Sequence, residues 1–330
     1  MKVNELRTAL GKYDAAALRE IVVELYKMMP KARKDDSSLD ELLLNFDRAK
    51  AKSVKTEAPL DFESLRAEVE QFLVYADQQY YLAPNRYVRK ERRSKWRFEV
   101  KRFIKDLVKV GGENSEEAGR LLAEIYNMLS YACHYRVFST EDPFASVGYE
   151  QADLLQLVLE KMFYSGYAAD IIKSAVFLTL DSNVGWKIFR MNLWSVLVDV
   201  LKTTDTKEIA LAECLAYRNE YDAYQYAKSL FEEYDDGGYR RVKHQNYAVE
   251  LYLLLKFALH EYDEGFDFYW KNLAAQGDDV KLYYLLRYFL NSDDKHMNAL
   301  WIREYEKAVD RGIKPQELLM EEYAKRIARQ

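Results

Sequence analysis

The side chains able to do acid–base or metal chemistry are few and scattered. His134, His244, His260 and His296 stand at no i, i+3 or i+4 spacing from one another, so no helix face gathers two imidazoles. Cys133-His134 is the one adjacent thiol and ring. Read as neighbours on one helix they point to different faces and build no ligand pair. No Gly-rich phosphate loop and no Gly-x-Ser-x-Gly elbow occurs, and carboxylate pairs in a chain that is 31% charged identify nothing. The expectation is a protein that is not an enzyme, with no catalytic, cofactor-binding or metal-binding residue to name and no cofactor. A site assembled from distant helices is the one route to catalysis left open.

The strongest patterned charge is basic. Residues 86–109 hold eleven Lys/Arg against Glu91, Glu99 and Asp106, a local +8 in a chain of net charge −5, leaving −13 for the rest. On a helix over 94–110, at about 100° per residue, Trp96, Val100, Phe103, Ile104 and Leu107 share one face. Arg97, Lys101, Arg102, Lys105 and Lys109 share the opposite face, with Phe98 among them and Arg86, Arg89, Lys90, Arg92 and Arg93 ahead of it. Cations along one face can neutralise phosphates, and an aromatic among them can stack on a base. The candidate polyanion-binding face is therefore Arg89, Arg93, Arg97, Phe98, Lys101, Lys105 and Lys109. The plain alternatives are that it docks onto the acidic remainder of the same chain, is solvated, or meets an acidic protein.

Tyrosine is the compositional outlier, with 27 residues. Tyr80-Tyr81, Tyr283-Tyr284 and Tyr217, Tyr221, Tyr224 and Tyr226 fall where helices are expected to meet. A broad apolar ring with a polar tip suits a partner surface, for which Tyr224 and Tyr283 are the candidates, and equally suits packing between stacked helices. An acidic run, Glu232-Glu233-Tyr234-Asp235-Asp236, is expected at a helix C-terminus, with Arg240, Arg241 and Lys243 opening the next helix. Both placements oppose the helix dipole, so compensation across Gly237-Gly238 is expected, with binding of a cation or basic peptide as the alternative.

The elements carrying these residues are legible from their punctuation. About sixteen helix-length apolar-periodic segments are separated by short turn signals, and all five prolines sit at expected boundaries. Residues 1–52 read as an N-terminal three-helix unit (Val3–Leu10, a helix capped by Asp14, a third from Ser38 through Phe46), and 53–60 as a linker. Residues 61–164 read as a helical region containing the basic helix. It comprises a helix from Asp61 to about Leu82, the basic segment, and helices over 114–138 and 149–164. From 165 to 330 the pattern becomes repeat-like, with turns expected at Tyr167-Ala168-Ala169, Tyr221-Asp222-Ala223 and Tyr262-Asp263-Glu264-Gly265. Leu251, Leu254, Leu255, Ala258 and Leu259 keep a one-sided helical spacing, as do Leu282, Leu285, Leu286, Phe289 and Leu290. Over 165–312 these junctions resemble those of tetratricopeptide-type repeats, without a strict period.

Leu18-Arg19-Glu20-Ile21-Val22-Val23-Glu24-Leu25-Tyr26-Lys27, followed by a linker and the basic helix Arg97–Asp106, is similar to a family of bacterial helical domains of unknown function. The resemblance covers roughly residues 1–180. It implies a bacterial origin and brings no activity, substrate or site. With only Cys133 and Cys214, no disulfide framework is expected, and the opening residues have no apolar run of the secretory type. Nothing is apolar for long enough to span a membrane. The expectation is an all-α chain, a helical unit followed by an elongated array of antiparallel helix pairs. It is expected to act in the cytoplasm as a non-catalytic scaffold for a protein or peptide, with nucleic-acid binding through residues 86–109 as the alternative.

Overall fold

Apolar residues at helical spacing become helices wherever the pattern can be followed. The computed structural model describes residues 3–29, 43–44, 61–82, 94–185, 187–228, 239–275, 277–292 and 294–328, with backbone alone at 3, 4, 7, 220–228, 239 and 240. Among them are fifteen α-helices, two short 3-10 turns, one π turn and no strand. The chain divides into two compact units, residues 1–60 and 61–330.

The first unit contains α1 (Val3–Leu10) and α2 (Ala15–Met28). Asp14 caps α2 by accepting from the Ala17 backbone N–H at 2.8 Å, which satisfies an orphan donor of the first turn. Of the third expected helix, Leu43 and Leu44 are helical. The rest of 38–46 and the linker 53–60 lie outside the described residues.

The second unit opens with α3 (Phe62–Asp77), capped by Asp61, which accepts from the Ser64 hydroxyl at 2.6 Å and the Ser64 N–H at 3.5 Å. Those bonds hold the Asp61 carboxyl below its ordinary value. The helix stops short of Leu82: Gln79 takes φ 59° and Tyr80 N–H returns to the Tyr75 carbonyl, ending the ladder. Next come α4 (Trp96–Lys109) and α5 (Ser115–Tyr131). The short α6 (Pro143–Val147) has Asp142 as cap, Pro143 in its first turn and Gly148 at φ 80° closing it. Then follow α7 (Gln151–Met162), α8 (Ala169–Asp181), α9 (Arg190–Val200) and α10 (Thr204–Lys228). Finally α11 (Tyr239–Ala258), α12 (Tyr262–Asn272), α13 (Asp278–Tyr284) running into the π turn, α14 (Lys295–Asp310) and α15 (Glu317–Ala328) complete the unit.

Packing is local in chain order. α5 lies against α3, α4 and α7; α7 lies against α9, and α9 against α11. In parallel, α8 packs on α10, while α10 and α12 flank α11. One contiguous apolar core runs from Phe62 to Leu319.

Three sequence expectations give way here, and a fourth holds by a different helix geometry. Tyr221-Asp222-Ala223 is not a turn: α10 runs straight through it, because no glycine or proline interrupts 204–228 and these residue types are all tolerated inside a helix. The α11 stripe is not one-sided, since Leu251, Leu253, Leu255 and Phe257 are buried while Leu254 and Leu259 are only partly so. Contacts with α8, α9, α10 and α12 cover α11 on more than one side. The helix expected over 114–138 ends at Tyr131, so Cys133 and His134 sit in the turn beyond it. Leu282, Leu285, Leu286, Phe289 and Leu290 are all buried, but through a π turn over Leu285–Phe289 that widens the helix by one residue.

Two close approaches fix the helix spacing. A Cβ at Gly119 on α5 would lie 3.3 Å from Met162 Cα and 3.4 Å from the Lys161 carbonyl oxygen on α7. One at Gly265 on α12 would lie 3.1 Å from Lys256 Cβ on α11. Backbone cannot swing aside as a side chain can. Gly119→Val is therefore expected to overpack the α5–α7 contact and cost about 1–3 kcal/mol, read as a lowered melting temperature; an unchanged melt would count against the tight contact.

Candidate functional site

The basic helix is built as its apolar half requires. Trp96, Val100, Phe103, Ile104 and Leu107 are all buried. Trp96 stacks on Phe138 with ring centres 3.9 Å apart, and Phe103 meets Phe72 of α3 edge-on at 5.5 Å. At the other end, the Lys161 ammonium of α7 donates to the carbonyls of Val110 and Val108, the second at 3.5 Å. Burial lowers the pKa of that ammonium, and the carbonyls at the helix end supply the partners a buried cation needs. Held at both ends, α4 has one permitted rotation.

That rotation turns Arg97, Phe98, Lys101, Arg102, Lys105 and Lys109 outward, all exposed, with Phe98 at 70%. Arg102 makes an ion pair with Glu68 of α3 and lies over the Phe103 ring at 4.7 Å. Lys101 has a second role: its Nζ lies 3.0 Å from where a Gly148 Cβ would stand, beside the carbonyl end of α6. The structure thus brings five of the seven expected face residues together on α4. Arg89 and Arg93 lie outside the described residues.

The tyrosine candidates divide differently. Tyr283 is half-buried and packs on the core, while Tyr284 and Tyr288 are exposed. The rings of Tyr284 and Tyr288 stack at 5.5 Å, and Tyr283 stands edge-on to both, at 6.1 and 6.3 Å. Tyr284 and Tyr288 stand four residues apart, a spacing that places both rings on one face of the helix. Tyr224 lies on α10, not at a junction, and its side chain is outside the described residues, as is the acidic run 232–236. Tyr217, expected at a junction, is fully buried inside α10.

Two polar clusters have no sequence signature at all. Tyr217 donates to Asp181 Oδ1 at 2.6 Å, and His244 Nδ1 lies 2.9 Å from the same hydroxyl. A phenol has one proton, so with Asp181 taking it, the His244 Nδ1 must be the donor in the second bond. The chain Asp181–Tyr217–His244 ties α8 to α10 and α11. Farther along α11, burial pushes the Glu250 carboxyl up to about 8, against the pull of the Arg190 guanidinium, which itself lies 3.9 Å over the Tyr247 ring. The residues meet only after folding: 36 positions separate Asp181 from Tyr217, and 27 separate Tyr217 from His244. Among the described residues no group of three or more His, Cys, Asp and Glu is arranged to hold a metal ion, and no helix is long and apolar enough to cross a membrane.

Comparison with protein-family models, with curated proteins and with solved structures finds no significant match to this chain.

Tyr217→Phe removes the hydroxyl that joins the half-buried Asp181 and His244, an expected loss of about 1 kcal/mol in chemical denaturation. A loss near zero would mean that water replaces the hydroxyl. Glu250 sets a pH dependence of its own. Its folded pKa is raised above the ordinary 4.5 to about 8, so the native state holds its proton more tightly than the unfolded chain does. The stabilisation is complete below about pH 4.5 and is lost progressively as the pH rises towards 8. Glu250→Gln is expected to flatten the stability–pH curve in that window; an identical curve for the variant would refute the assignment.

Proposed function

We propose that this chain is a non-catalytic scaffold of the cytoplasm, an array of helix pairs related to tetratricopeptide-type repeats, whose surface receives a protein or peptide. The observation that carries the reading is the alternation of contacts within residues 61–330. The row α5–α7–α9–α11 is in contact at every step, and α8 packs on α10. In a stack of helix pairs each helix meets its partner and the equivalent helix of the next pair, and the contacts over α5–α11 support that reading. The close approach at Gly265 supports it too, since a small residue where α12 meets α11 is what such a junction needs.

The exposed rings of Tyr284 and Tyr288 are the surface we assign to the partner, with Tyr283 beneath them. Rigid aromatic rings offer large contact area at small entropic cost, and interface energy concentrates on such residues. The double variant Tyr284→Ala, Tyr288→Ala removes both exposed rings and leaves the buried Leu282, Leu285 and Leu286 in place. A partner captured on immobilised wild-type protein is expected to lose on the order of 2 kcal/mol of binding for each ring removed. Helical circular dichroism should stay the same. Capture of the same partners with undiminished affinity would remove the tyrosine platform from the reading.

A further inference from the structure

We propose that the outward side of α4 binds single-stranded nucleic acid, with Phe98 stacking on an unpaired base and the cations behind it following the phosphate backbone. This stands apart from peptide binding at the tyrosine platform, and its failure would leave that reading untouched. The geometry of α4 carries it. Placed at about 100° per residue, Lys101, Phe98, Lys105, Lys109 and Arg102 form one continuous arc with Arg97 at its edge, and Glu99 and Asp106 fall roughly 100° or more round the helix from Lys105. From Phe98 to Lys109 the face runs about 16 Å, with Lys101, Lys105 and Lys109 one turn, about 6 Å, apart. A line of regularly spaced positive charge matches a partner whose negative charge repeats along its length.

Phe98 separates nucleic acid from an acidic protein. At 70% exposed it is a large ring left in water in the midst of cations, while every other aromatic of α4, Trp96 and Phe103, is buried. A carboxylate-rich surface would gain from the charges but has no use for the ring, whereas every nucleobase has a face that stacks on it. Stacking also separates single strand from duplex, because the base faces of a duplex are already covered by their neighbours. The base reaches Phe98 only where the strand is open.

The test uses the full chain and fluorescence anisotropy with a labelled oligouridylate, the same-length duplex and polyglutamate as probes. Binding of the single strand is expected at about 50 mM salt, weakening roughly tenfold or more by about 200 mM as counterions are released. Phe98→Ala should weaken it about tenfold without changing the salt slope, since stacking carries no counterion. Arg97→Glu with Lys105→Glu should abolish it at low salt. Lys101 is spared because of its place beside Gly148. Should the double reversal unfold the chain, Arg97→Gln and Phe98→Ala, both at exposed positions, give the same comparison with the core intact. No binding of the single strand at low salt overturns the proposal. Equal affinity for duplex together with indifference to Phe98→Ala overturns it as well, and so does a preference for polyglutamate, which would make the face a dock for acidic protein.

Discussion

The backbone contact at Gly119 governs where three helices lie. With no side chain there, α5 settles directly on the last turn of α7, against Lys161 and Met162. The Lys161 side chain leaves that same spot and ends on the carbonyls of Val108 and Val110 at the close of α4. One close approach therefore fixes α5 on α7 and, through a buried ammonium, α7 on α4. Trp96 on Phe138 secures the far end of α4. The direction of the basic face is a consequence of these apolar and helix-end contacts, and no charge on that face is needed to set it.

Buried polar groups impose the second constraint, because each must find a partner once water is excluded. The connection between α8 and α9 is pinned in this way. Gln151 of α7 donates to the Asn183 carbonyl at 2.8 Å and accepts from Gly185 N–H at 3.1 Å, and Ser130 accepts from Asn183 N–H at 2.8 Å. Tyr126 lies at the bottom of the same cluster, its phenol pushed up to about 12 by burial. At the C-terminal end Arg326 has the equivalent task. It is buried over the Trp301 ring at 4.8 Å and donates to Asn298 at 2.6 Å and Asn291 at 3.2 Å, locking α15 to α14. These clusters give each junction one arrangement, which helix packing by apolar contact alone does not guarantee.

Legibility in the sequence follows the range of the interaction. The α4 stripe was readable because burial on one face of one helix depends on spacing within a dozen residues, whereas Pro143 was read only as a boundary and the short α6 it opens was not expected. The turn expected at Tyr221 failed because its signal was an analogy to Tyr167 and Tyr262 with no residue that stops a helix. α11 was misread because periodicity reports one buried face, and contacts with α8, α9, α10 and α12 bury several. Asp181, Tyr217 and His244 had no chance of being grouped: nothing local marks residues that meet across three helices. Tyr288 was missed although it stands four residues after Tyr284, the spacing of helix neighbours, because the adjacent pair Tyr283-Tyr284 was read as the cluster.

Charge explains why the basic face of α4 persists beside an acidic remainder. The nearest helices carry carboxylates in plenty, yet Glu70 and Glu117 are taken by Arg66 at 3.0 and 3.6 Å, and by Arg120 at 3.5 and 2.6 Å. Glu124 pairs with Arg120 as well. That network ties α3 to α5 across the groove between them and leaves those acids facing their own arginines. Arg102 pairs with Glu68 of α3, and both partners are about half exposed, where such a pair contributes little. The acids Glu70, Glu117 and Glu124 are thus compensated within α3 and α5, while the basic side of α4 is exposed on the side where Phe98 also stands in solvent.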